Sequence, residues 1–473
     1  KRQGREVPQS LRVKPGAKHP VWKTQSIPQR GIRMTSPFPF ESMIVFGWLA
    51  VMLIAGVVLR ARISFLQRFL FPSCLIGGII GLILIHTPLI NIAVFDLETF
   101  AYHFFNISFI SVGLTYDHKD KNTSSRSKGY IKGPAWMALV QGSCFGLQAA
   151  VSGLLVIIFG ILGMKLFPTF GFLVPLGFEE GPGQALSVGK VWEGFGFAQA
   201  ATLGLTFAAI GYFFAFFVGV PLVNWGIRKG LAAHGTQNLS RDILTGIISK
   251  EHQAQSAGRL TLHTGNIDSM AFQAALVGLV YLITYGFVKY GGMFLPADAA
   301  KILWGFFFVL GLMFAVLVRM AIHKSGYIHL INPGIQRRIT GWSIDFLMVA
   351  TIMAIQLMVV WKYILPITVI SAINGCLTTL FVLFLGKRLM DYNIERTAAI
   401  YGAVTGTVSC GLLLLRIADP DFKTPVAIEI AVMNVLSIIP IGGCLLLVNA
   451  PVWWNWGVGT TSIVFLGLMA VGL

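Results

Sequence analysis

Pro175-Leu-Gly-Phe-Glu179-Glu180-Gly181-Pro182-Gly183-Gln184-Ala185-Leu-Ser187-Val-Gly189-Lys190 interrupts one apolar region of this chain. Tyr401-Gly402-Ala-Val-Thr405-Gly406-Thr407-Val-Ser409-Cys410-Gly411 interrupts another. Glycine and proline break helical pairing in both stretches. In hydrocarbon, each freed N–H or C=O costs several kcal/mol. Such backbone therefore persists only where protein or a wet cavity surrounds it. One glycine-rich patch reads equally well as an ordinary loop or a close helix contact. Two patches at matching places in two halves of a chain point instead to a built site.

Composition decides that the setting is a membrane. Of 473 residues, 55% are hydrophobic and only 12% are charged, too little charge to cover a soluble protein of this size. Disorder, collagen and a disulfide scaffold are excluded by the same figures. At roughly 20 apolar residues per span, the chain holds about a dozen helices. Candidate spans fall at about 43–61, 72–90, 100–116, 133–162, 168–193, 197–227, 267–290, 302–323, 340–361, 363–386, 396–418, 424–449 and 452–473. Cys74, Cys144, Cys376, Cys410 and Cys444 are scattered through apolar runs, without a Cys-x-x-Cys pair or a Cys/His cluster. They read as small buried hydrophobes.

Lys and Arg number 36 against 19 Asp and Glu, a net charge of +17. Nucleic acid is not the implied partner, because the basic residues lie in a tail and in loops between apolar spans, as membrane topology requires. Residues 1–40 form a basic tail with no hydrophobic period. The chain begins without Met, which leaves room for a removed upstream segment. The loops at 60–68, 117–132, 228–266, 319–338 and 387–396 are basic, and those between them are poor in Lys and Arg. Placing every basic loop in the cytoplasm requires segments 168–193 and 396–418 each to enter and leave from one side. The charge pattern thus predicts two re-entrant hairpins entering from opposite faces. It also puts the tail outside, against the positive-inside rule, unless a span precedes the first one or the first segment does not cross.

The expected fold is all-α and polytopic, built as two inverted repeats. The first repeat covers 41–227 and the second 267–449, joined by a cytoplasmic loop at 228–266. The basic tail at 1–40 precedes them and an additional span at 450–473 follows. Inverted repeats with broken helices are the architecture of secondary transporters. A hairpin tip offers helix N-termini to carboxylates and carbonyl oxygens to sodium. The solute ligands expected on this basis are Gly181, Gly183, Gln184, Thr405, Gly406, Thr407 and Ser409. The cation ligands expected are Glu179, Glu180, Asn106, Ser108 and Asp345, since carboxylates inside a membrane usually face a cavity or a partner. Each has a blander alternative. Glu179 and Glu180 could be solvated or paired with Lys190, Asp345 could cap a helix near the interface, and Asn106 and Ser108 could bond between helices. Glu429 could pair with Lys423.

These residues resemble the sodium/glutamate symporter family. The likeness spans most of 43–449. It is clearest in Phe71-Pro72-Ser-Cys-Leu-Ile-Gly77-Gly78, in Ser111-Val-Gly113-Leu114, from Gly177 to Gly219, and from Gly402 to Gly411. The resemblance implies two inverted five-span repeats, each with a re-entrant hairpin, a homodimer in the cell membrane (a bacterial inner membrane), and sodium-coupled uptake of acidic amino acids. It implies no enzymatic activity and no cofactor beyond the coupling ion. Family members that carry glutamate have a Gly-Gly-His-Gly-Thr-Gly-like first tip. Here Glu179-Glu180-Gly181-Pro182-Gly183-Gln184 keeps two glycines but lacks the histidine and the threonine. The expectation is therefore cation-coupled symport of an amino-acid-like or small organic-anion solute. The rival readings are a channel, which would need a continuous polar stripe, and a receptor or scaffold that does not transport.

Overall fold

The computed structural model describes residues 40–87, 90–115, 132–233, 241–249, 258–263, 265–296, 300, 303–388, 391–420 and 423–471. The basic tail up to residue 39 and most of the basic loop at 117–132 lie outside the described residues. The protein is all-helical, with no strand among the described residues. The principal helices are α1 (Glu41–Arg62), α2 (Ser73–Ile85), α3 (Val94–Leu114), α4 (Lys132–Ile161), α5 (Leu173–Phe178), α6 (Pro182–Glu193) and α7, which runs Ala200–Arg228 through a π-helical turn at Phe214–Val218. After them come α8 (Ser269–Gly292), α9 (Phe307–Lys324), α10 (Pro333–Met353), α11 (Ile364–Gly386), α12 (Asn393–Gly406), α13 (Val408–Ala418), α14 (Val426–Leu436), α15 (Ile438–Leu447) and α16 (Val458–Val471).

Six helices are long and apolar enough to cross a bilayer: α1, α4, α7, α8, α9 and α11. The bent pair α14 and α15 makes a seventh candidate. Their outward faces are lined with lipophilic side chains such as Ile54, Leu282 and Leu380. The remaining expected spans fall short for identifiable reasons. α2 is only 13 residues long and α16 only 14. α3 carries Asp96 and Glu98, and α10 carries Arg337, Arg338 and Asp345. The single span expected at 424–449 is two helices instead, broken at Ser437 shortly before Pro440, a residue that cannot donate to a helix ladder.

Glycines set the closest helix contacts. A methyl group on Gly56 would collide with the Ser73 carbonyl, and one on Gly77 with the Met52 carbonyl, so α1 and α2 cross backbone to backbone. α10 packs along α2 through Ile352 and Met353 on Gly78 and Gly81. It meets α3 through Phe346 and Trp342 on Phe104, with ring centres 5.5 and 5.2 Å apart. α16, the helix beyond the expected two repeats, lies along α4, where Gly146 and Gly153 admit Phe465 and Ser462.

Both interrupted segments fold back on themselves. Phe167 and Phe170 precede α5 and Trp192 ends α6, yet all three rings pack against Phe197. The chain between them therefore goes out and returns. In the second segment a methyl on Gly402 would strike the Gly411 nitrogen, and one on Gly411 would strike the Ala399 carbonyl. Residues a dozen positions apart touch only if α12 and α13 run side by side. The turn is at Gly181 in the first hairpin and at Thr407 in the second, and both have positive φ, +87° and +129°. The spacing from Gly181 to Thr407 recurs elsewhere. It separates the first residue of α6 from that of α13, the first residue of α7 from that of α14, and Gln148 in α4 from Asn374 in α11.

Candidate functional site

The two hairpins meet at their turns. A methyl on Gly181 would run into the Thr407 side chain, and the Tyr212 hydroxyl stands beside the same spot. Tyr212 and Gly211 belong to α7, and Gly211 is crossed by the Thr405 carbonyl and by Phe178. One bare turn of α7 thus lets both tips converge.

Protein surrounds the irregular backbone. All six residues of α5 are buried, and in α6 only Lys190 and Glu193 are not. From Thr397 to Gly406 the second hairpin is buried throughout. The local sequence explains the break. Pro182 occupies the first turn of α6, where its missing N–H costs nothing, and Gly181 before it takes the left-handed φ. The Glu179 and Glu180 N–H groups both donate to the Pro175 carbonyl, at 3.1 and 3.3 Å, closing the end of α5. At the second tip the Thr407 N–H donates to the Gly402 carbonyl at 3.2 Å. Thr407 holds φ +129° and ψ 167°, a region that β-branched residues avoid. Such strain persists only where the surroundings over-determine it.

The first turns of α6 and α13 therefore point their unpaired N–H ends toward one place. That arrangement favours a carboxylate. The carboxylates of Glu179 and Glu180 stand at the same tip and favour a cation. A solute bearing both charges, or an anion accompanied by a cation, satisfies the pair.

Glu179 is 3% exposed, and neither of its carboxyl oxygens has a hydrogen-bond partner. Its polar neighbours are Gln141 and Cys144 on α4 and Cys444 on α15. Glu180 is half-buried and faces Gln184. Lys190 is not their partner. Its ammonium lies 2.7 Å from Glu98 and 3.0 Å from Glu193, at the far end of α6. There, Glu98, Lys190, Glu193, Gln199 and Gln356 line an open cavity of about 410 Å³.

Of the residues expected to hold a solute, Gly181, Thr405, Gly406 and Thr407 meet at the tips. Gly183 lies against Phe105, and Gln184 is buried in the first turn of α6. Thr405 is itself satisfied, its hydroxyl donating to the Tyr401 carbonyl at 2.7 Å. Ser409 is exposed on the first turn of α13. Asp345 is exposed and reaches Cys74, which neighbours Cys410 of the second hairpin. Tyr212 neighbours Cys74, Cys410 and Thr407.

Asn106 and Ser108 follow Phe105 on α3, the ring that lies against Gly183. Asn106 is fully buried, with its amide unpaired and the hydroxyls of Tyr102 and Tyr281 as its neighbours. Ser108 donates to the Phe105 carbonyl at 2.7 Å. Glu429 pairs with Arg396, not Lys423, through two 2.7 Å contacts. Sequence reasoning missed Tyr212. The available signal was a hydroxyl inside an apolar span, which needs a partner when buried.

No individual curated protein matches the chain. Residues 40–412 match the sodium/glutamate symporter family, a stretch that contains the first hairpin, Asp345, and the second hairpin as far as the first turn of α13. The protein is therefore a multi-pass membrane protein and belongs to the sodium/glutamate symporter family, a family of transporters.

Proposed function

We propose that the chain carries an amino-acid-like or small organic-anion solute across the cell membrane by alternating access, driven by sodium. The solute sits between the tips, touching Gly181, Gln184, Thr407 and Ser409, and the cation is held by Glu179, Glu180 and Asp345. The observation that carries this reading is the contact of Gly181 with Thr407, two turns of positive φ from distant parts of the chain. Ordinary loops would have no reason to bury two unpaired helix N-termini against each other. The buried, unpaired amide of Asn106 supports reading it as a further ligand of the ion, whereas the Ser108 hydroxyl is satisfied within α3.

The recurring spacing supports two inverted repeats, 41–227 and 267–449, whose hairpins enter from opposite faces. The contact of Gln148 with Thr378 and that of Ser152 with Asn374 exchange partners under that same spacing, as a two-fold relation requires. We read the assembly as a homodimer in which the hairpin-bearing part moves against a fixed scaffold. The first tip lacks the histidine and threonine of glutamate carriers, so the solute is read as a relative of glutamate rather than glutamate itself.

Purified protein in liposomes tests the reading. Solute preloaded inside should drive saturable counterflow, and an inward sodium gradient should drive uptake of an amino acid or dicarboxylate. Asp345→Asn should abolish the sodium dependence. Conductance without counterflow would convert the reading to a channel, and unchanged coupling in the variant would remove Asp345 from the site.

A further inference from the structure

The open cavity at the far end of α6 takes its walls from several separate stretches of chain. Glu98 comes from the start of α3, Lys190 and Glu193 from the end of α6, Gln199 from the turn ahead of α7, and Gln356 from the residues after α10. These are the ends that the loop charges place outside, and α6 leads inward from them. At 1.5 Å per residue, Lys190 stands roughly 12 Å along α6 from Pro182 at the first tip. A volume of about 410 Å³ is room for a small solute. The Lys190 ammonium is held between Glu98 at 2.7 Å and Glu193 at 3.0 Å. The Ala201 N–H fixes Glu193 by donating to its other oxygen at 3.2 Å. Glu98 is 6% exposed, and among the described residues Lys190 is its ion-pair partner. Gln199 and Gln356 stand ahead of helices that neither side chain caps.

Stability alone does not account for this arrangement. A pair with an exposed lysine contributes little, whereas burying a carboxylate is costly. The hydrogen-bonding capacity of the cluster is also unspent. Lysine has three N–H donors, and the two carboxylates engage two of them. Each carboxylate can accept more bonds than the lysine gives it. The cluster can therefore take a further carboxylate at Lys190 and an ammonium at Glu98 and Glu193 without breaking a pair. Gln199 and Gln356 bring an amide donor and acceptor each. Charge narrows the choice. Two carboxylates and one ammonium sum to −1, and Glu98 is too buried for water to screen fully. A zwitterion adds no net charge to the cavity, whereas a dicarboxylate brings like charge beside a buried carboxylate. We propose that this cavity is an outer reception site for a neutral, zwitterionic amino acid, with its carboxylate on Lys190 and its ammonium on Glu98 and Glu193, and that it excludes dicarboxylates. The inference deepens the carrier reading and rests on it for the solute's onward path to the tips.

Labelling at the rim reads the cavity directly. Phe95 lines it and is 72% exposed. In intact cells whose protein carries Cys376→Ser and Phe95→Cys, a membrane-impermeant maleimide should react at position 95. Glutamine, glutamate and glutarate are the probes, since they share one carbon skeleton and gain negative charge in that order. Glutamine should slow the labelling at the lowest concentration and glutarate at the highest, about tenfold or more apart. Lys190→Met should abolish the protection. Glu98→Gln keeps the volume and removes the buried charge, so it should fold, and it should bring the protecting concentration of glutarate down toward that of glutamine. That variant decides the question where the methionine variant is unstable. Absence of labelling from outside, glutarate protecting the parent as well as glutamine does, or an unchanged order of protection in Glu98→Gln overturns the site. Counterflow in liposomes separates the two readings. Protection without any counterflow overturns the carrier reading and spares the cavity. Counterflow whose half-saturating glutamine concentration is unmoved by Lys190→Met and by Glu98→Gln spares the carrier and overturns the cavity.

Discussion

Thr407 shows what a single residue contributes. Its φ of +129° is a conformation that suits glycine, yet threonine stands there. Holding such backbone costs about 1–3 kcal/mol. Glycine in its place would relieve that strain and lose about 0.5–1 kcal/mol to added freedom of the unfolded chain. Thr407→Gly should therefore unfold at a higher temperature, by about 1 kcal/mol of stability, while solute uptake falls. A variant that is less stable and fully active would show that the side chain serves packing. The same scale separates what sequence could show from what it could not. Gly181 and Thr407 were legible because a break in an apolar run is visible locally. The partners of Glu429 and Lys190 were not. Lys423 and the Glu179–Glu180 pair are near in sequence, whereas Arg396 and Glu98 are near only once α12 lies beside α14 and α3 lies beside α6.

Between elements, the second hairpin is fastened at its open end by charge and at its turn by close backbone contact. Arg396 on α12 grips Glu429 on α14 with two parallel 2.7 Å contacts, and Glu429 is 3% exposed and pressed against Gly133 of α4. Removing one partner of a buried pair leaves an uncompensated charge, which costs about 3–5 kcal/mol. Arg396→Gln should lower thermal stability by that order. The double variant Arg396→Met with Glu429→Leu should recover most of it, because an apolar pair of similar volume avoids the desolvation cost. Equal losses in the single and double variants would mean that the contact between α12 and α14 does not depend on charge. Element boundaries were legible where caps and breakers mark them, as at Pro182 and Gly406. The break at Ser437 stands shortly before Pro440, a breaker the sequence displays, while the bond from the Ser437 hydroxyl to Gln141 on α4, at 2.7 Å, is a contact no local pattern marks.

At the scale of the molecule, the two-hairpin plan makes a claim about sides. Lys165 precedes the first hairpin and Lys423 follows the second, and both are exposed. If the hairpins enter from opposite faces, these lysines lie on opposite sides of the membrane, although no residue between the two arms of either hairpin crosses it. The sequence pointed here through loop charge alone. It could not show that the two turns touch, because contact between distant segments leaves no mark on local composition. Four of the five cysteines are buried, so replacing the exposed Cys376 by serine leaves a quiet background for labelling. Lys165→Cys in that background should react with a membrane-impermeant maleimide in intact cells. Lys423→Cys should react only after the membrane is opened. Labelling of both from one side would break the inverted arrangement. The meeting tips would then need another explanation, because two hairpins entering from a single face can touch without forming a passage reachable from both.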